Sequence, residues 1–103
     1  MANPLQPKCV KILEEEFNAY VINIIAASKA GNMDLVACIY GEFYGFEIKW
    51  KNDQPSELQK EKINLCIDAG GKAYFIRSTE QLRNIINNRE KPIKYDFKMK
   101  FNL

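Results

Sequence analysis

The sequence feature that most constrains the fold is a pair of apolar runs separated by a glycine. Residues 33–40 and 43–50 are each rich in aliphatic and aromatic side chains, and Gly41 and Glu42 alone lie between them. Two strand-forming runs joined by a short connection that contains glycine predict an antiparallel β-hairpin. Any fold of this chain must therefore contain a sheet with at least these two neighbouring strands.

The rest of the chain adds three helices and two strands to this hairpin. Apolar residues recur at helical spacing over residues 7–17, and residues 19–27 have the composition of a strand. Capping signals at Ser56 and Ser78 begin helices that end near residues 69 and 88, and the strand 73–76 lies between these helices. The predicted order is α-β-β-β-α-β-α, which is an α/β (α+β) fold.

The absence of histidine excludes several classes of active site. The chain has 103 residues, no histidine and a formal net charge of +2. A Ser-His-Asp triad, a Cys-His pair and a histidine-ligated zinc are therefore excluded. The three cysteines lie far apart in apolar surroundings, which predicts buried free thiols in a reducing compartment. No glycine-rich phosphate loop is present, so we expect no organic cofactor.

Length and charge predict one domain that includes the whole chain, residues 1–103. Its core should cover about residues 8–88, and a basic tail should follow over residues 89–103. No apolar run approaches the roughly 20 residues that span a bilayer, and the N-terminus lacks the order of a signal peptide, so we expect no membrane contact. Because the net charge is small, an anionic partner must meet a local basic patch.

Alternation along residues 43–50 places Glu47 and Lys49 on one face of the third strand, opposite Phe46 and Ile48. Charged groups in the middle of such a strand are costly unless they are paired, solvated or bound to a ligand. Asp34 begins the preceding strand, and pairing across the hairpin would bring it near the Lys49 end of the third strand, within reach of Glu47. Two carboxylates and one lysine would then converge.

Such a trio suits the hydrolysis of phosphodiesters. Oxygen ligands from Asp34 and Glu47 can hold Mg²⁺ or Mn²⁺, which bind substrate phosphates directly. Lys49 can orient the attacking water or stabilise charge on the phosphate. The same residues have a simpler interpretation, an ion pair between Glu47 and Lys49 on a half-exposed sheet face, and on these residues alone that arrangement is the commoner one.

Four sequence elements, in order and at the usual distances, resemble those of a nuclease family. They are residues 29–38, residues 41–49, the Ser-x-x-Gln element at 56–59 and the glycine pair with its flanks at 69–74. Over about residues 8–86 they resemble the VRR-NUC family, a branch of the PD-(D/E)xK nucleases found alone in phages and as a domain of larger repair nucleases. The resemblance implies a restriction-endonuclease-like core, in which helices flank a central mixed sheet, in the cytoplasm of a bacterium or a phage-infected cell.

The resemblance also implies roles for single residues. Asp34 and Glu47 would bind the metal ion, with the carbonyl of Ile48 as a further ligand. Lys49 would be the catalytic lysine, and Gln59 would be a catalytic residue that faces the site from its helix. Because Gln59 is also the last residue of the predicted capping box, helix geometry alone accounts for it equally well.

The chain departs from the family pattern at two places. Met33 stands where the family usually has proline, which shapes the backbone rather than the chemistry. Many relatives carry a glutamate in the first helix that completes the metal site, whereas residues 6–8 of this chain include no acid. Glu14 is the substitute nearest the apolar face of that helix. The commoner interpretation of the run 14–16 is a solvated helix end.

The resemblance implies an endonuclease that cuts DNA, with structure-specific activity on branched substrates such as Holliday junctions or flaps. Ser28, Lys29 and Lys51 flank the site in sequence and are the candidate contacts to DNA phosphates. A symmetric branched substrate requires two sites, so we expect a homodimer, joined through the apolar sheet or the first helix. The alternative is a catalytically silent DNA-binding or interaction module that retains the nuclease fold without a working metal site.

Overall fold

Three helices and four strands follow one another in the predicted order. The computed structural model describes residues 3–24 and 33–95. Its elements are α1 (Leu5–Glu16), β1 (Tyr20–Asn23), β2 (Leu35–Ile39), β3 (Glu42–Ile48), α2 (Glu57–Asp68), β4 (Lys72–Ile76) and α3 (Thr79–Asn87). The predicted order α-β-β-β-α-β-α is confirmed. The part of the predicted first strand that follows Ile24 lies outside the described residues.

The strands form a mixed sheet in the order β1-β2-β3-β4. β1 and β3 each pair with β2 in antiparallel fashion, whereas β3 and β4 are parallel. Parallel neighbours need a crossover connection, and α2 supplies it. The core formed by α1, α3 and one face of the sheet is separate from the smaller apolar cluster beneath α2. The predicted mixed sheet flanked by helices is therefore confirmed.

The hairpin turn lies one residue earlier than predicted. Tyr40 and Gly41 occupy its two central positions with φ angles of 56° and 78°, and Ile39 pairs with Glu42 across it. Positive φ at both central positions defines a type I′ turn, whose twist matches that of the flanking strands. Glycine adopts this conformation at no steric cost, which favours Gly41 at the second central position.

The shifted turn changes the partner of Asp34. Leu35 is the last residue of β2 that pairs with β3, opposite Phe46, and the N–H of Asp34 also donates to the carbonyl of Phe46 at 3.0 Å. The Asp34 side chain lies beside that of Glu47, with which it shares a hydrogen bond. The sequence-based register, which placed it near Lys49, was wrong by two positions along β3, because a turn shifted by one residue moves both strands.

The two faces of β3 carry the predicted sets of side chains. Tyr44, Phe46 and Ile48 are buried in the core with α1 and α3. The rings of Tyr44, Phe46 and Tyr74 stack with centroids 5.8 to 6.2 Å apart. Gly45 lies on the other face, where the side chain of Met33 occupies the space that a Cβ atom would need. The alternation that places Glu47 on the α2 face is confirmed.

Some sequence-based expectations about burial were wrong. Cys9 is buried, but Cys66 is only half-buried and Cys38 is exposed on β2, so the three thiols do not share one environment. Continued alternation would place Trp50 on the same buried face as Ile48, yet 36% of Trp50 is exposed, because β3 ends at Ile48. No helix within the described ranges is long and apolar enough to cross a membrane.

The first part of the predicted basic tail packs on the protein. The hydroxyl of Tyr74 donates to the carbonyl of Glu90 at 2.7 Å, and the side chain of Asn64 makes two hydrogen bonds with the backbone of Tyr95. Lys94 pairs with Asp68 at 2.7 Å. Residues 89–95 form no strand, and residues 96–103 lie outside the described part of the chain.

Candidate active site

Asp34 is held in place by both of its neighbouring strands. Its carbonyl accepts a hydrogen bond of 2.8 Å from the N–H of Ile24, in addition to the bond that its own N–H makes to Phe46. The Asp34 carboxylate turns towards the end of β3, where its Oδ2 atom accepts a bond of 2.7 Å from the N–H of Ile48. The position of this carboxylate is therefore set by the backbone.

Glu47 lies beside Asp34 and is almost fully buried. Only 2% of the residue is exposed, and its Oε2 atom has no hydrogen-bond partner among the described residues. Burial, a hydrogen bond shared with Asp34 and the charge of Asp34 together raise the pKa of Glu47 to about 9, although the charge of Lys49 acts in the opposite direction. At neutral pH, Glu47 keeps its proton unless a cation replaces it.

Lys49 completes the trio at the end of β3. Its backbone N–H donates to the carbonyl of Ile76 at 2.8 Å, which extends the pairing with β4 by one residue, and only 8% of Lys49 is exposed. None of the ion pairs found among residues 3–24 and 33–95 joins Lys49 to Glu47. The alternative of a solvated ion pair on a half-exposed face was therefore wrong.

Asn3 is a residue of this site that sequence reasoning missed. Its side-chain nitrogen donates to the carbonyl of Ile48 at 3.3 Å, and its side-chain oxygen accepts from the N–H of Leu5 at 2.9 Å. The amide thus connects the first turn of α1 to the end of β3. Asparagine ahead of Pro4 is a recognisable start of a helix, but no local pattern indicates its contact with Ile48.

The side chain of Gln59 is engaged at the start of α2. Its Oε1 atom accepts from the N–H of Ser56 at 2.9 Å, while the Ser56 hydroxyl accepts from the N–H of Gln59 at 3.1 Å. This reciprocal pair is the capping box predicted from the sequence. Helix geometry therefore accounts for Gln59, and its expected role in catalysis stays a prediction.

Glu14 does not join the two carboxylates. It is exposed near the end of α1, and that helix packs against the face of the sheet opposite to Glu47. Asn3, at the other end of α1, contacts Ile48, which leaves Glu14 about 16 Å further along the helix. Within the described ranges, no three acidic, cysteine or histidine side chains lie close enough together to hold a metal ion. The structure thus assembles two acids rather than three.

The expected DNA contacts are only partly described. Lys51 is exposed two residues after Lys49, and its Nζ atom lies 5.7 Å from the centroid of the Trp50 ring. This exposed lysine and the partly exposed ring of Trp50 directly follow Lys49, in the loop after β3. Ser28 and Lys29 lie outside the described residues.

Comparison with solved structures confirms the nuclease fold. A structure described as a VRR_NUC domain matches 86% of this chain and all of that chain, with a TM-score of 0.69 and 19% identical residues. The Holliday junction resolvase Hjc of the archaeal hyperthermophile Archaeoglobus fulgidus matches 70% of this chain and 64% of its own, with a TM-score of 0.52 and 17% identity. No protein-family model and no curated protein matches the sequence. The chain shares its fold with these two proteins.

Proposed function

We propose that the protein is a metal-dependent endonuclease that hydrolyses phosphodiester bonds of DNA. Asp34, Glu47 and Lys49 would form its active site. The observation that carries this proposal is the pair of neighbouring carboxyl groups, of which Glu47 is buried. Glu47 is 2% exposed beside Asp34, and its Oε2 atom has no partner in the described chain. A fold shared with a VRR_NUC domain and with a resolvase is consistent with this assignment.

The donor set of this site fits a hard divalent cation. Asp34 and Glu47 offer carboxylate oxygens from adjacent strands, and Mg²⁺ and Mn²⁺ prefer such ligands. The carbonyl of Ile48 is the proposed further ligand, since the N–H of the same residue already bonds to the Asp34 carboxylate. A cation would replace the proton that Glu47 otherwise keeps, which removes the cost of burying this carboxyl group.

In such a site a divalent cation lowers the pKa of the attacking water and neutralises charge on the phosphate. Lys49 adds a buried positive charge beside the two acids, where charges interact more strongly than in water. Its ammonium group would orient the attacking water or stabilise the charge that develops on the phosphate. Gln59 is proposed as a further residue facing the site, through the amide nitrogen that the capping box leaves free.

The test of this proposal is metal-dependent cutting. Purified protein would be incubated with a labelled four-way junction, a flap and a plain duplex, in Mg²⁺, in Mn²⁺ and in EDTA. We expect cutting with metal only, lowered by about 10²–10³-fold in Lys49→Ala, the range for loss of one group that stabilises developing charge. Lys91→Ala, which removes an exposed lysine of the segment after α3, should cut normally. Failure of the unaltered protein to cut any substrate would overturn the proposal.

We propose further that the natural substrate is branched DNA, cut by a homodimer. Tyr20 of β1, Cys38 of β2 and Phe43 of β3 lie side by side on the α2 face of the sheet and are all exposed. Tyr20 is 70% exposed and Ile22, on the same edge strand, is 47% exposed. A second copy of the chain would cover this apolar row and bring two sites to a symmetric substrate.

The oligomeric mass in solution, measured by light scattering at micromolar concentration, tests the dimer. We expect a dimer for the unaltered protein and a monomer for Ile22→Asp, with unchanged mass in the control Ile93→Asp, since Ile93 is also exposed but lies in the segment after α3. A monomeric unaltered protein would exclude cutting by two paired sites, while the single-site chemistry of Asp34 and Glu47 would stand.

One observation favours a second function. The described residues bring two acids together rather than three, which is compatible with a module that binds DNA without cutting it. That function predicts binding to branched DNA that persists in EDTA and no cutting at any metal concentration. The buried and unpartnered Oε2 atom of Glu47 favours the nuclease, because a module without metal chemistry has no use for it.

A further inference from the structure

A pocket lies on the α2 face of the sheet, on the β4 side of Glu47. Its volume is about 600 Å³, and Phe75, which lines it, is the partner of Glu47 in the pairing of β3 with β4. Gln54, from the loop after β3, and Arg77, which follows β4, also line this pocket. It therefore opens at the end of β3, which carries Glu47, and at the end of the neighbouring strand β4.

Two positive charges face this pocket. Arg77 donates from its guanidinium to the carbonyl of Asp53 at 2.9 Å, and no carboxylate of the described residues forms an ion pair with it. Lys60 reaches the pocket from α2, and its ammonium group bonds to Glu57 at 3.2 Å on the exposed side of that helix. An exposed pair of this kind contributes little, so Lys60 can exchange Glu57 for another anion.

Tyr95 brings a hydroxyl group to the same place. Burial raises the pKa of Tyr95, while the positive charges of Arg77 and Lys60 act in the opposite direction. The ring is fixed edge-to-face against Phe75, with centroids 5.1 Å apart, and the backbone is held by the side chain of Asn64 at 2.7 and 2.8 Å. A guanidinium, an ammonium and a hydroxyl group are thus held around one polar cavity.

We propose that Lys60, Arg77 and Tyr95 form a subsite for a backbone phosphate of the DNA strand, next to the phosphate that is cut. The planar guanidinium suits two oxygens of a phosphate, and the ammonium and hydroxyl groups are further donors. Contacts of this kind set the register of DNA without reading its sequence. This inference rests on the proposed function in one respect only: the nuclease activity is what makes the neighbouring phosphate the one that is cut.

The spacing of the two sites agrees with this assignment. Neighbouring strands of a sheet lie about 4.8 Å apart. A subsite on the β4 side of Glu47 is therefore close enough to take a phosphate near the one at the active site. The strand of DNA would then run across the ends of β3 and β4.

Binding of labelled branched DNA in EDTA, measured against salt concentration, tests the subsite. We expect Arg77→Gln to weaken binding about 10-fold and to reduce the slope of log affinity against log salt by about one, since one phosphate contact is lost. Arg89→Gln is the matched control. Arg89 is also exposed but lies beside Glu42 and Tyr40, at the opposite end of β3, so its loss should change affinity by less than about 2-fold.

Two further variants separate charge from geometry. Arg77→Lys keeps the positive charge but loses the planar guanidinium group that can bind two phosphate oxygens. It should therefore weaken binding by an intermediate amount, about 3-fold. Tyr95→Phe removes a single donor and should have an effect of about 2-fold. Circular dichroism would establish that each variant is folded before its binding is measured.

The outcomes distinguish this inference from the proposed nuclease. Equal effects of Arg77→Gln and Arg89→Gln would overturn the subsite, because only bulk charge would then matter. Binding of inorganic phosphate alone at Arg77, without an Arg77 effect on DNA affinity, would also overturn it. If Mg²⁺ never produces cuts while the Arg77 effect on binding persists, the nuclease fails and the subsite stands. No binding of DNA by the unaltered protein would overturn both.

Discussion

The two faces of β3 are both buried, but they are buried among different partners. On the face towards α1 and α3, Phe46 packs against the rings of Tyr44 and Tyr74 in the main core. On the other face, Glu47 is as inaccessible to water as those rings, yet it carries a carboxyl group with an unpartnered oxygen in the described chain. The rings of the first face are explained by the stability that their burial provides, although the Tyr44 hydroxyl is also without a partner in the described chain. A buried carboxyl group lowers stability, and the proposed cation would offset this cost.

This difference teaches how to separate residues that serve folding from residues that serve chemistry. Apolar side chains at 2% exposure need no further reason to be there. A carboxyl group at the same exposure needs one, because its desolvation is unfavourable. Substitutions on the first face should therefore unfold the protein, and substitutions on the second should inactivate it without unfolding it.

The largest expected effect is on the core face. Replacing Phe46 by alanine removes a fully buried ring, and we expect it to lower the free energy of unfolding by about 3–5 kcal/mol. Urea denaturation followed by circular dichroism would measure the change. Phe43→Ala is the matched control on the same strand, since 54% of Phe43 is exposed, and it should cost about 1 kcal/mol. Equal losses would contradict the division into two faces.

The next effect is on the chemical face. Glu47→Gln keeps the shape of the side chain and removes its charge, so we expect cutting to fall by about 10²–10³-fold. The same variant should be at least as stable as the unaltered protein in EDTA at pH 8, because folding no longer requires the buried group to take up a proton from solution. Cleavage assays and urea denaturation of the same variant test the two statements. Normal cutting would contradict the first, and a lower stability than that of the unaltered protein would contradict the second.

The pH dependence of stability sharpens the comparison. The pKa of Glu47 rises from 4.5 to about 9 on folding, so the folded state holds a proton that the unfolded state has released between these values. The stability that this proton contributes is complete below about pH 4.5 and is lost progressively as the pH rises to about 9, at about 1.4 kcal/mol per pH unit. Urea unfolding in EDTA at pH 5.5, 7 and 8.5 should show the decline.

Two controls accompany that measurement. In Glu47→Gln the decline should disappear, and in the unaltered protein Mg²⁺ should reduce it, because the cation replaces the proton. Profiles that run parallel in the unaltered protein and in Glu47→Gln would show that Glu47 is not the group that titrates.

The smallest effect concerns an acid outside both faces. Glu16 is exposed and bonds to Arg83 at 2.9 and 2.6 Å; this hydrogen bond lowers the pKa of Glu16. The sign is opposite to that of Glu47, so its small contribution is present near neutral pH and is lost as the pH falls through the lowered pKa. Glu16→Gln should leave cutting unchanged and lower the urea midpoint slightly at pH 7 but not below pH 3. A large loss of activity would contradict the assignment of this pair to the surface.

Local patterns in the sequence were enough to predict the elements and the two faces of β3. Alternation placed Glu47 opposite Phe46, and the serine caps of α2 and α3 are where the capping signals predicted them. The turn was wrong by one residue because Gly41 can occupy either central position of a two-residue loop. The choice between them depends on how the strands pack, which no local pattern records.

Contacts between distant segments could not be predicted in this way. Asn3 meets Ile48 only because α1 begins beside the end of β3. The pocket around Arg77 draws side chains from α2, from the residues after β4 and from the segment after α3, and each is an ordinary surface residue in its own stretch of sequence. The family resemblance supplied the candidate residues for the chemistry, and the fold was needed to find the residues around them.

The two-residue turn at Tyr40 and Gly41 has a consequence for how this protein can change over evolutionary time. Asp34 and Glu47 lie on opposite arms of the hairpin, so inserting or deleting one residue between them would turn one carboxylate to the other face of the sheet. A two-residue loop is already about as short as a hairpin allows. We therefore expect related sequences to vary in length before Asp34 and after Lys49, while the interval between the two acids is inherited unchanged.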